Sequence, residues 1–377
     1  MVTSIVLTEN EAKIVEEKME PLVIENVGAG KGHLSTVELL SCKVLGKVIK
    51  KVPIIERNKF LAAPIDVRRF QTMHNTEVDI YSILQSHQKE GLLIPKIFDL
   101  KKMDITKTPV ENGYIIMEHI SNCSHVYLFD NLKPDDLIEP LRNLARLHAL
   151  TYELTDKEID IIPKDLISGW CGELFCEANM KQFMLIWDNH LKSMVCDEAA
   201  ANCDLLFEVF ATDNVQKYND DCKLNGLPEF LCHGDFWPAN LLFSTDNDGS
   251  RRLHAVVDFQ LANMGNGAQD LTRLMAAALS GKDRREHYKR LLQVYYDQLV
   301  KAVGEAPFSF DTLLDSYHRY FPLNAALICT PTPARFFMNL AAIENEEKKI
   351  QVRIVIRDTT TTTTFSIETG ILRNMNV

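Results

Sequence analysis

Residues 233–240 read HGDFWPAN, and VVDFQ follows at residues 256–260. Two apolar runs flank the loop between these motifs, LLF at 241–243 and LHAVVDF at 253–259. The loop TDNDGS contains an Asp-Gly pair, which is typical of a β-hairpin. Such a hairpin would bring the amide of Asn240 and the carboxylate of Asp258 to one end of a sheet. The sequence therefore predicts a β-hairpin that brings the two motifs together.

The polar side chains of these motifs suit phosphoryl transfer. Asp235 and Asn240 are five residues apart, and Pro238 keeps the stretch between them from forming a regular helix. The amide oxygen of Asn240 and the carboxylate of Asp258 are hard oxygen ligands, which suit Mg²⁺ bound together with substrate phosphates. Asp235 is then left to accept or orient the proton of a hydroxyl group. Packing alone is a poor explanation for polar residues beside apolar strands.

Glycines interrupt the β-branched N-terminal region at Gly28, Gly30 and Gly32. A turn of this kind can let the main chain approach phosphates closely, and it equally fits an ordinary connection between strands. The sequence GAGKGHLST is neither a Walker A motif nor a GxGxxG loop, since Lys31 is followed by glycine. The glycines alone therefore give weak support for a phosphate site.

A lysine on the strand after the glycines could neutralise bound phosphates. Lys51 is the candidate, with Lys50 as its rival. Apolar residues at helix-like intervals predict a helix over residues 66–90, with Gly91 as its stop. Glu77 on this helix could hold the lysine through an ion pair. Taken singly, each of these charges also fits a solvated surface.

The whole chain has an α+β pattern. Strands are predicted before residue 120, and helices dominate after it, in segments that include 172–212 and 269–347. We expect a β-rich N-terminal lobe and a mainly helical C-terminal lobe with the hairpin embedded in it. The expected divisions are residues 1–118, residues 119–347 and an atypical Thr-rich tail at 348–377. The threonine run in the tail favours an extended edge segment or a poorly ordered tail.

Composition limits the classes of function. The 377 residues carry 41 Lys+Arg and 52 Asp+Glu, and the net charge of −11 disfavours a general nucleic-acid or anionic-membrane binder. With 46% apolar residues the chain is too apolar for disorder. It has no signal-peptide pattern and no apolar run near the ~20 residues of a membrane span. Nine cysteines without a CxxC pair favour reduced thiols in a cytoplasmic protein.

The pattern HGDxxxxN followed by VDFQ resembles the catalytic-loop and metal-site motifs of small-molecule phosphotransferases with the protein-kinase fold. This group includes the choline kinases and the aminoglycoside phosphotransferases. The fuller wording HGDFWPAN, VVDFQLANMGNGAQDLTRL and HNTEVDIY resembles the ecdysteroid kinase-like (CHK kinase-like) family. The resemblance extends across roughly residues 25–345.

This resemblance implies a bilobal protein-kinase-like fold and an ATP- and Mg²⁺-dependent kinase that phosphorylates a hydroxyl of a small molecule. A steroid alcohol, a choline-like amine, an aminoglycoside and a xenobiotic alcohol remain open as the acceptor. By the resemblance, ATP lies under the glycine loop, and Asp270 supports the catalytic loop. The remaining implied roles are Asp235 as catalytic base, Asn240 and Asp258 as Mg²⁺ ligands, Lys51 and Glu77 as the ATP-aligning pair, and Met117, Glu118 and His119 as the adenine-binding hinge.

Two alternatives compete with an active kinase. One is a catalytically inactive nucleotide- or lipophile-binding protein on the same fold, although every motif residue is present. The other is a metal hydrolase that uses His233, Asp235 and Asp258, which would normally need more histidines nearby. Lys50-Lys51 also departs from the single lysine usual in the family, and the Val52-Pro53 that follows favours Lys51.

Several other side chains fit structural roles. His233 is expected to support the main chain beside Asp235, and His148 fits a hydrogen-bonded histidine of the core. Cys232 fits a small buried apolar residue. Three aromatic residues either line an acceptor pocket or pack in the core, namely Trp170, Phe183 and Trp187.

Overall fold

A computed structural model gives the architecture of the chain. It describes residues 23–26, 35–42, 46–53, 66–126, 132–164, 171–186, 188–189, 209, 212–247 and 249–329. Several predicted features lie outside the described residues, namely Gly28, Gly30, Gly32, Trp170, Trp187 and the Thr-rich tail at 348–377.

Five antiparallel strands form the N-terminal sheet, in the spatial order β1-β2-β3-β5-β4. They are β1 Val23–Asn26, β2 Ser35–Cys42, β3 Gly46–Pro53, β4 Ile97–Lys101 and β5 Tyr114–Glu118. β5 is buried from Tyr114 to Met117, which agrees with its continuous apolar sequence. Lys51 of the central strand β3 pairs with Ile115 of β5, so this lysine lies in the middle of the sheet.

The helix α1 (Val67–His87) follows the sheet's first three strands and corresponds to the helix predicted over residues 66–90. Asp66 caps its start by accepting a hydrogen bond from the main-chain N–H of Arg68 at 2.9 Å. The predicted apolar face is buried, at Phe70, Met73, Val78, Tyr81 and Leu84. The helical periodicity of this stretch therefore identified the side that packs on the protein.

The predicted stop of α1 at Gly91 is wrong. The helix ends at His87, because Gln88 takes a left-handed conformation with φ 41° and its N–H donates to Leu84 O at 3.2 Å. A left-handed residue of this kind closes a helix in the way that glycine usually does. Gly91 is also left-handed, with φ 72°, but lies in the turn that follows.

Helices dominate the C-terminal part of the described chain. They are α2 Ile138–Leu150, α3 Asp156–Ile161, α4 Glu177–Ile186, α5 Thr212–Asn219, α6 Asp221–Asn225, α7 Ala268–Ala278, α8 Gly281–Val303 and α9 Phe310–Cys329. α8 packs against α2, and α7 packs against α9. The capping residue Ser280 accepts a hydrogen bond from the N–H of Asp283 at 3.1 Å, which fixes the start of α8.

The hairpin predicted between the two motifs is confirmed. The remaining strands are β6 Ser124–His125, β7 Phe230–Cys232, β8 Leu241–Thr245, β9 Arg251–Val256 and β10 Asn263–Gly265. β8 pairs antiparallel with β9 and with β6, while β7 pairs with β10. Beyond the end of the ladder, the N–H of Val257 donates to Asn240 O at 3.0 Å. This bond sets Asn240 beside the residues that lead to Asp258.

Side chains with predicted structural roles lie in the core. Phe183 is fully buried and meets Phe175 edge-on, with ring centres 6.0 Å apart, so among the described residues it packs in the core. Cys232 is fully buried. Within the described chain the cysteines are free, at Cys123, Cys171, Cys176, Cys222 and Cys232.

The predicted α+β architecture, β-rich at the N-terminal end and mainly helical with an embedded hairpin after it, is confirmed. The boundaries at residues 118 and 347 stay predictions. Among the described residues, no helix combines the length and the apolar character needed to cross a membrane.

Candidate active site

The loop between β7 and β8 is held by Asp270 of α7. Its carboxylate accepts a hydrogen bond from the main-chain N–H of His233 at 2.7 Å and another from that of Gly234 at 2.9 Å. Asp270 is fully buried, and hydrogen bonds to an ionised acceptor are stronger than neutral ones. This is the placement expected of a carboxylate that supports the catalytic loop.

Gly234 makes the sharp turn of this loop possible. Its φ of 80° lies in the left-handed region, where residues other than glycine are strained. A Cβ atom at this position would lie 1.8 Å from the main-chain oxygen of Leu261. The close approach of two main-chain segments therefore requires glycine here.

His233 supports the main chain with both ring nitrogens. Nε2 donates to Val257 O at 3.0 Å, and Nδ1 accepts from the N–H of Asp235 at 3.3 Å. A metal ligand needs a free nitrogen lone pair, and neither nitrogen of His233 offers one. The contacts therefore argue against the metal hydrolase that uses His233.

His148 of α2 also supports Asp270, at the same carboxylate oxygen that accepts from the N–H of His233. Its Nε2 donates to Asp270 Oδ2 at 3.2 Å, and its Nδ1 accepts from the hydroxyl of Tyr295 at 2.7 Å. His148, Asp270 and Cys232 have potential ligand atoms within 4.8 Å of one another. Because the histidine and the carboxylate already have partners for their polar atoms, this buried group is a hydrogen-bonded core cluster.

Asp235 and Asn240 are joined across a short 3-10 turn at Pro238–Asn240. The amide nitrogen of Asn240 donates to the main-chain oxygen of Asp235 at 2.9 Å and lies 3.4 Å from its Oδ2. In this orientation, the amide nitrogen of Asn240 makes its hydrogen bonds within the loop. No described residue donates a hydrogen bond to the amide oxygen, so that oxygen remains for another ligand.

Arg273 was missed by the sequence analysis. Its Nε and one terminal nitrogen lie 3.0 and 2.8 Å from Asp235 Oδ1, and its guanidinium carbon lies 5.2 Å from the ring centre of Trp237. The available signal was its position in QDLTRL, one helical turn after Asp270, which puts both residues on the same face of α7. That spacing shows that Asp270 and Arg273 share a face of α7, but it does not show which residue Arg273 contacts.

Lys51 connects the N-terminal sheet to the motif at Asp258. Its Nζ lies 2.6 Å from Glu77 Oε2 and 2.8 Å from Asp258 Oδ1. The side chain of Glu77 is 1% exposed and that of Lys51 is 11% exposed, so water screens these ion pairs weakly. The three residues come from β3, α1 and the segment after β9, and the structure brings them to one point.

Burial and the neighbouring opposite charges shift the pKa values of Lys51 and Glu77 in opposite directions. Burial opposes the protonated form of Lys51, but the carboxylates of Asp258 and Glu77 outweigh it and raise the pKa of Lys51. Burial raises the pKa of Glu77 to about 7, and the lysine opposes that rise. The lysine is therefore held as a cation between two acidic side chains.

Asp258 has an unusual main-chain conformation, with φ 72°. Its N–H donates to the hydroxyl oxygen of Tyr81, which lies 3.3 Å away on α1, and the next residue, Phe259, meets the Tyr81 ring edge-on at 5.3 Å. Non-glycine residues in this conformation are strained and cluster at functional sites. α1 therefore holds Asp258 through Tyr81 as well as through Lys51.

The oxygen atoms of Asn240 and Asp258 fit a magnesium ion. Asp258 Oδ1 accepts from Lys51, and no described residue donates to its second carboxylate oxygen. The amide oxygen of Asn240 belongs to the segment that lies beside the one leading to Asp258. Hard oxygen donors, few in number, are the set that suits Mg²⁺ bound together with substrate phosphates.

The predicted hinge lies at the end of β5. The N–H of Glu118 donates to Lys96 O at 2.8 Å, so this donor is already used, and Met117 pairs with both Ile49 and Ile97 in the sheet. His119 lies just past the strand. The roles of all three residues stay predictions.

The antiparallel N-terminal sheet, the mainly helical C-terminal part and the hairpin between the motifs define a protein with the protein-kinase-like fold of the small-molecule phosphotransferases. A family described as DUF1679, Uncharacterized oxidoreductase dhs-27, matches residues 55–362. The chain belongs to this family.

Individual relatives agree with this fold. The chain is 24% identical over 284 residues to the uncharacterized kinase-like protein D1044.1 of Caenorhabditis elegans, covering 74% of this chain and 72% of that protein. It is 23% identical over 259 residues to the uncharacterized oxidoreductase dhs-27 of the same organism, covering 66% of this chain but 29% of that protein. The crystal structure of choline kinase from Cryptosporidium parvum Iowa II is similar with a TM-score of 0.56 at 13% identity, covering 98% of this chain and 97% of that one. The predicted resemblance to kinase-like phosphotransferases is confirmed.

Proposed function

We propose that this protein transfers the γ-phosphoryl group of ATP to a hydroxyl group of a small molecule, with Mg²⁺ as cofactor. The observation that carries the proposal is the contact of Lys51 with both Glu77 and Asp258, at 2.6 and 2.8 Å. In kinases, a lysine held by a helix carboxylate aligns the phosphates beside a metal-binding aspartate. The same three residue types meet here.

Asn240 and Asp258 would hold Mg²⁺, which when bound neutralises the charge of the transferring phosphates. Their oxygen atoms fit this role because other contacts of the two side chains leave one oxygen of each without a described donor. Lys51, which contacts Asp258 at 2.8 Å, would add a second positive charge near the phosphates. The net charge of −11 therefore does not oppose phosphate binding, since local cations decide it.

Asp235 would orient the acceptor hydroxyl and take its proton. Its Oδ1 accepts from Arg273, so Oδ2 is the oxygen that faces a hydroxyl. The contacts from Asn240 and Arg273 fix the carboxylate plane, which suits a group that must meet one hydroxyl in one direction. Positioning and charge neutralisation supply most of the catalysis in phosphoryl transfer.

The word oxidoreductase in the family's description does not transfer to this chain. The alignment covers 29% of the relative that carries this name. Dinucleotide-binding oxidoreductases use a parallel sheet and a GxGxxG turn, whereas every strand pair in the described chain is antiparallel. We therefore assign a kinase-type reaction.

The acceptor class and the compartment are part of the proposal. Steroid, choline-like and xenobiotic alcohols, and an aminoglycoside, all carry the hydroxyl that this site needs. The choline kinase is 13% identical, which supports the fold and not its substrate. Free cysteines throughout the described chain support a reducing compartment such as the cytoplasm.

A screen of a metabolite extract tests the reaction. We expect wild-type protein with ATP and Mg²⁺ to convert some alcohol to a product heavier by one phosphoryl group, detected by mass spectrometry. Asp235→Asn should lower that rate about 1,000-fold, because the general base is lost, while calorimetry shows unchanged ATP binding. ATP binding without any product in the wild type would instead identify the inactive binding protein.

A further inference from the structure

Arg273 and Trp237 form a pair beside the carboxylate that would meet the acceptor. The guanidinium group donates two hydrogen bonds to Asp235 Oδ1, at 3.0 and 2.8 Å. Its carbon atom lies 5.2 Å from the ring centre of Trp237, within the range of a cation–π contact. The side chains of Arg273 and Asp235 are 13% and 14% exposed, so the pair is largely shielded from water.

This arrangement leaves no attraction for a cationic alcohol at this point. A quaternary ammonium group is usually bound by an aromatic face and a nearby carboxylate. Here the face of Trp237 and the carboxylate of Asp235 are both in contact with Arg273. A second cation would meet the guanidinium group beside the one carboxylate oxygen that faces the acceptor, and like charges repel.

The same pair offers two hydrogen-bond donors without acceptors. Within the described chain, one terminal nitrogen of Arg273 and the indole nitrogen of Trp237 are buried and have no hydrogen-bond partner. Buried donors are nearly always paired, and an unpaired one calls for a specific explanation. The Arg273 nitrogen is the one that does not contact Asp235, and its guanidinium group lies over the Trp237 ring, so both donors belong to one pair of side chains and match an oxygen atom that arrives with the acceptor. Protein atoms cover both nitrogens, so the alcohol has to displace the covering side chains.

We propose that Arg273 and Trp237 select alcohols with a hydrogen-bond-accepting oxygen next to the reacting hydroxyl, and reject cationic amino alcohols. This inference rests on the proposed kinase function and names its substrate class. In the transfer, the acceptor hydroxyl oxygen bonds to the γ-phosphorus, the bond to the β–γ bridging oxygen breaks, ADP leaves, and the hydroxyl proton passes to Asp235. The neighbouring oxygen accepts hydrogen bonds from Arg273 and Trp237 throughout.

The products of the extract screen give the first test. We expect the phosphorylated alcohols to be polyols, hydroxy ketones or hydroxy acids, and the charge of the product distinguishes neutral from anionic acceptors. A phosphorylated quaternary or primary amino alcohol as the main product would overturn the inference and leave the kinase function intact. If no alcohol is phosphorylated, the proposed function fails and the inference fails with it.

Trp237→Phe tests the donor directly, because it keeps an aromatic face and removes the indole N–H. For the acceptor found in the screen, we expect its KM to rise about tenfold, the value of one lost hydrogen bond, with the KM for ATP unchanged. Arg273→Lys should weaken the preference for that acceptor over choline, because lysine lacks the forked donors of arginine. Arg290→Gln is the matched control, since it removes an exposed Arg–Asp pair of the same length, 2.8 Å to Asp135. An unchanged acceptor KM in Trp237→Phe would overturn the assignment.

Discussion

At the scale of single residues, Gly234 is a position of the candidate site that only glycine can occupy without strain. Two constraints act on it together, a φ of 80° and the Leu261 carbonyl oxygen 1.8 Å from where a Cβ atom would lie. The obstacle is main chain, which cannot rotate away as a side chain can. Gly249 in the hairpin loop has nearly the same φ, 79°, but nothing within 4 Å of its Cβ position.

These two glycines separate conformational strain from close packing. Gly234→Ala should lower the free energy of unfolding by at least about 3 kcal/mol, because strain and collision add. Gly249→Ala should lower it by only about 1 kcal/mol, the value of the left-handed conformation alone. Denaturant unfolding of both variants measures the difference. Equal losses would show that the approach of Leu261 is unimportant.

The site residues differ in how far sequence could predict them. The sequence predicted that Asn240 lies near Asp258, because the hairpin between the two motifs brings the residues at its two ends together. The contact of Arg273 with Asp235 joins residues 38 positions apart and depends on how α7 packs beneath the loop. Helical spacing identifies the face of α7, but no local rule identifies what that face meets.

At the scale of elements, α1 links the sheet to the candidate site. One side holds Glu77 and Tyr81, which contact Lys51 and Asp258. A further contact with the sheet comes from His74, which is 4% exposed. Its Nε2 donates a hydrogen bond to Lys101 O on β4 at 2.9 Å. α1 is therefore fixed on the sheet by a buried neutral histidine.

His74 gives the fold a defined dependence on pH. Burial lowers the pKa of His74 from its usual 6.5 to about 4, although the bond to Lys101 opposes the shift. Between these two pH values the unfolded chain binds the proton and the folded chain does not, so stability falls as the pH falls. Between pH 7 and pH 5 we expect a loss of about 2 kcal/mol from this group.

Unfolding by urea at the two pH values, in the wild type and in His74→Gln, measures this loss. Glutamine keeps a donor for Lys101 O but does not titrate. The wild type should lose more stability than the variant by the amount given above. The same pH dependence in both proteins would mean that another group is responsible.

Element boundaries show where local sequence rules are insufficient. The burial pattern of α1 follows from its helical periodicity, because one face must pack on the sheet. Its end does not, since Gln88 closes the helix although Gly91 is the better residue for a left-handed cap. The helix ends where the N–H of Gln88 donates its capping hydrogen bond to Leu84 O.

At the scale of the whole molecule, Lys51 is the connection on which the account depends. It lies in the central strand of the N-terminal sheet and reaches Asp258, 207 residues further along the chain. A lysine that only stabilised the sheet would not need a carboxylate from the segment after the hairpin. The proposed function requires both contacts, because the same phosphates must meet the lysine and the metal ligands.

The most direct measurement follows the labelled γ-phosphoryl group of ATP into the alcohols of a metabolite extract, for wild type, Lys51→Met and Lys50→Met. We expect Mg²⁺-dependent transfer by the wild type and by Lys50→Met, and a loss of about 100-fold in Lys51→Met, the usual effect of removing one charge-stabilising donor. Thermal unfolding of each variant checks that the fold persists. Absence of transfer in the wild type, or full transfer by Lys51→Met, would contradict the account.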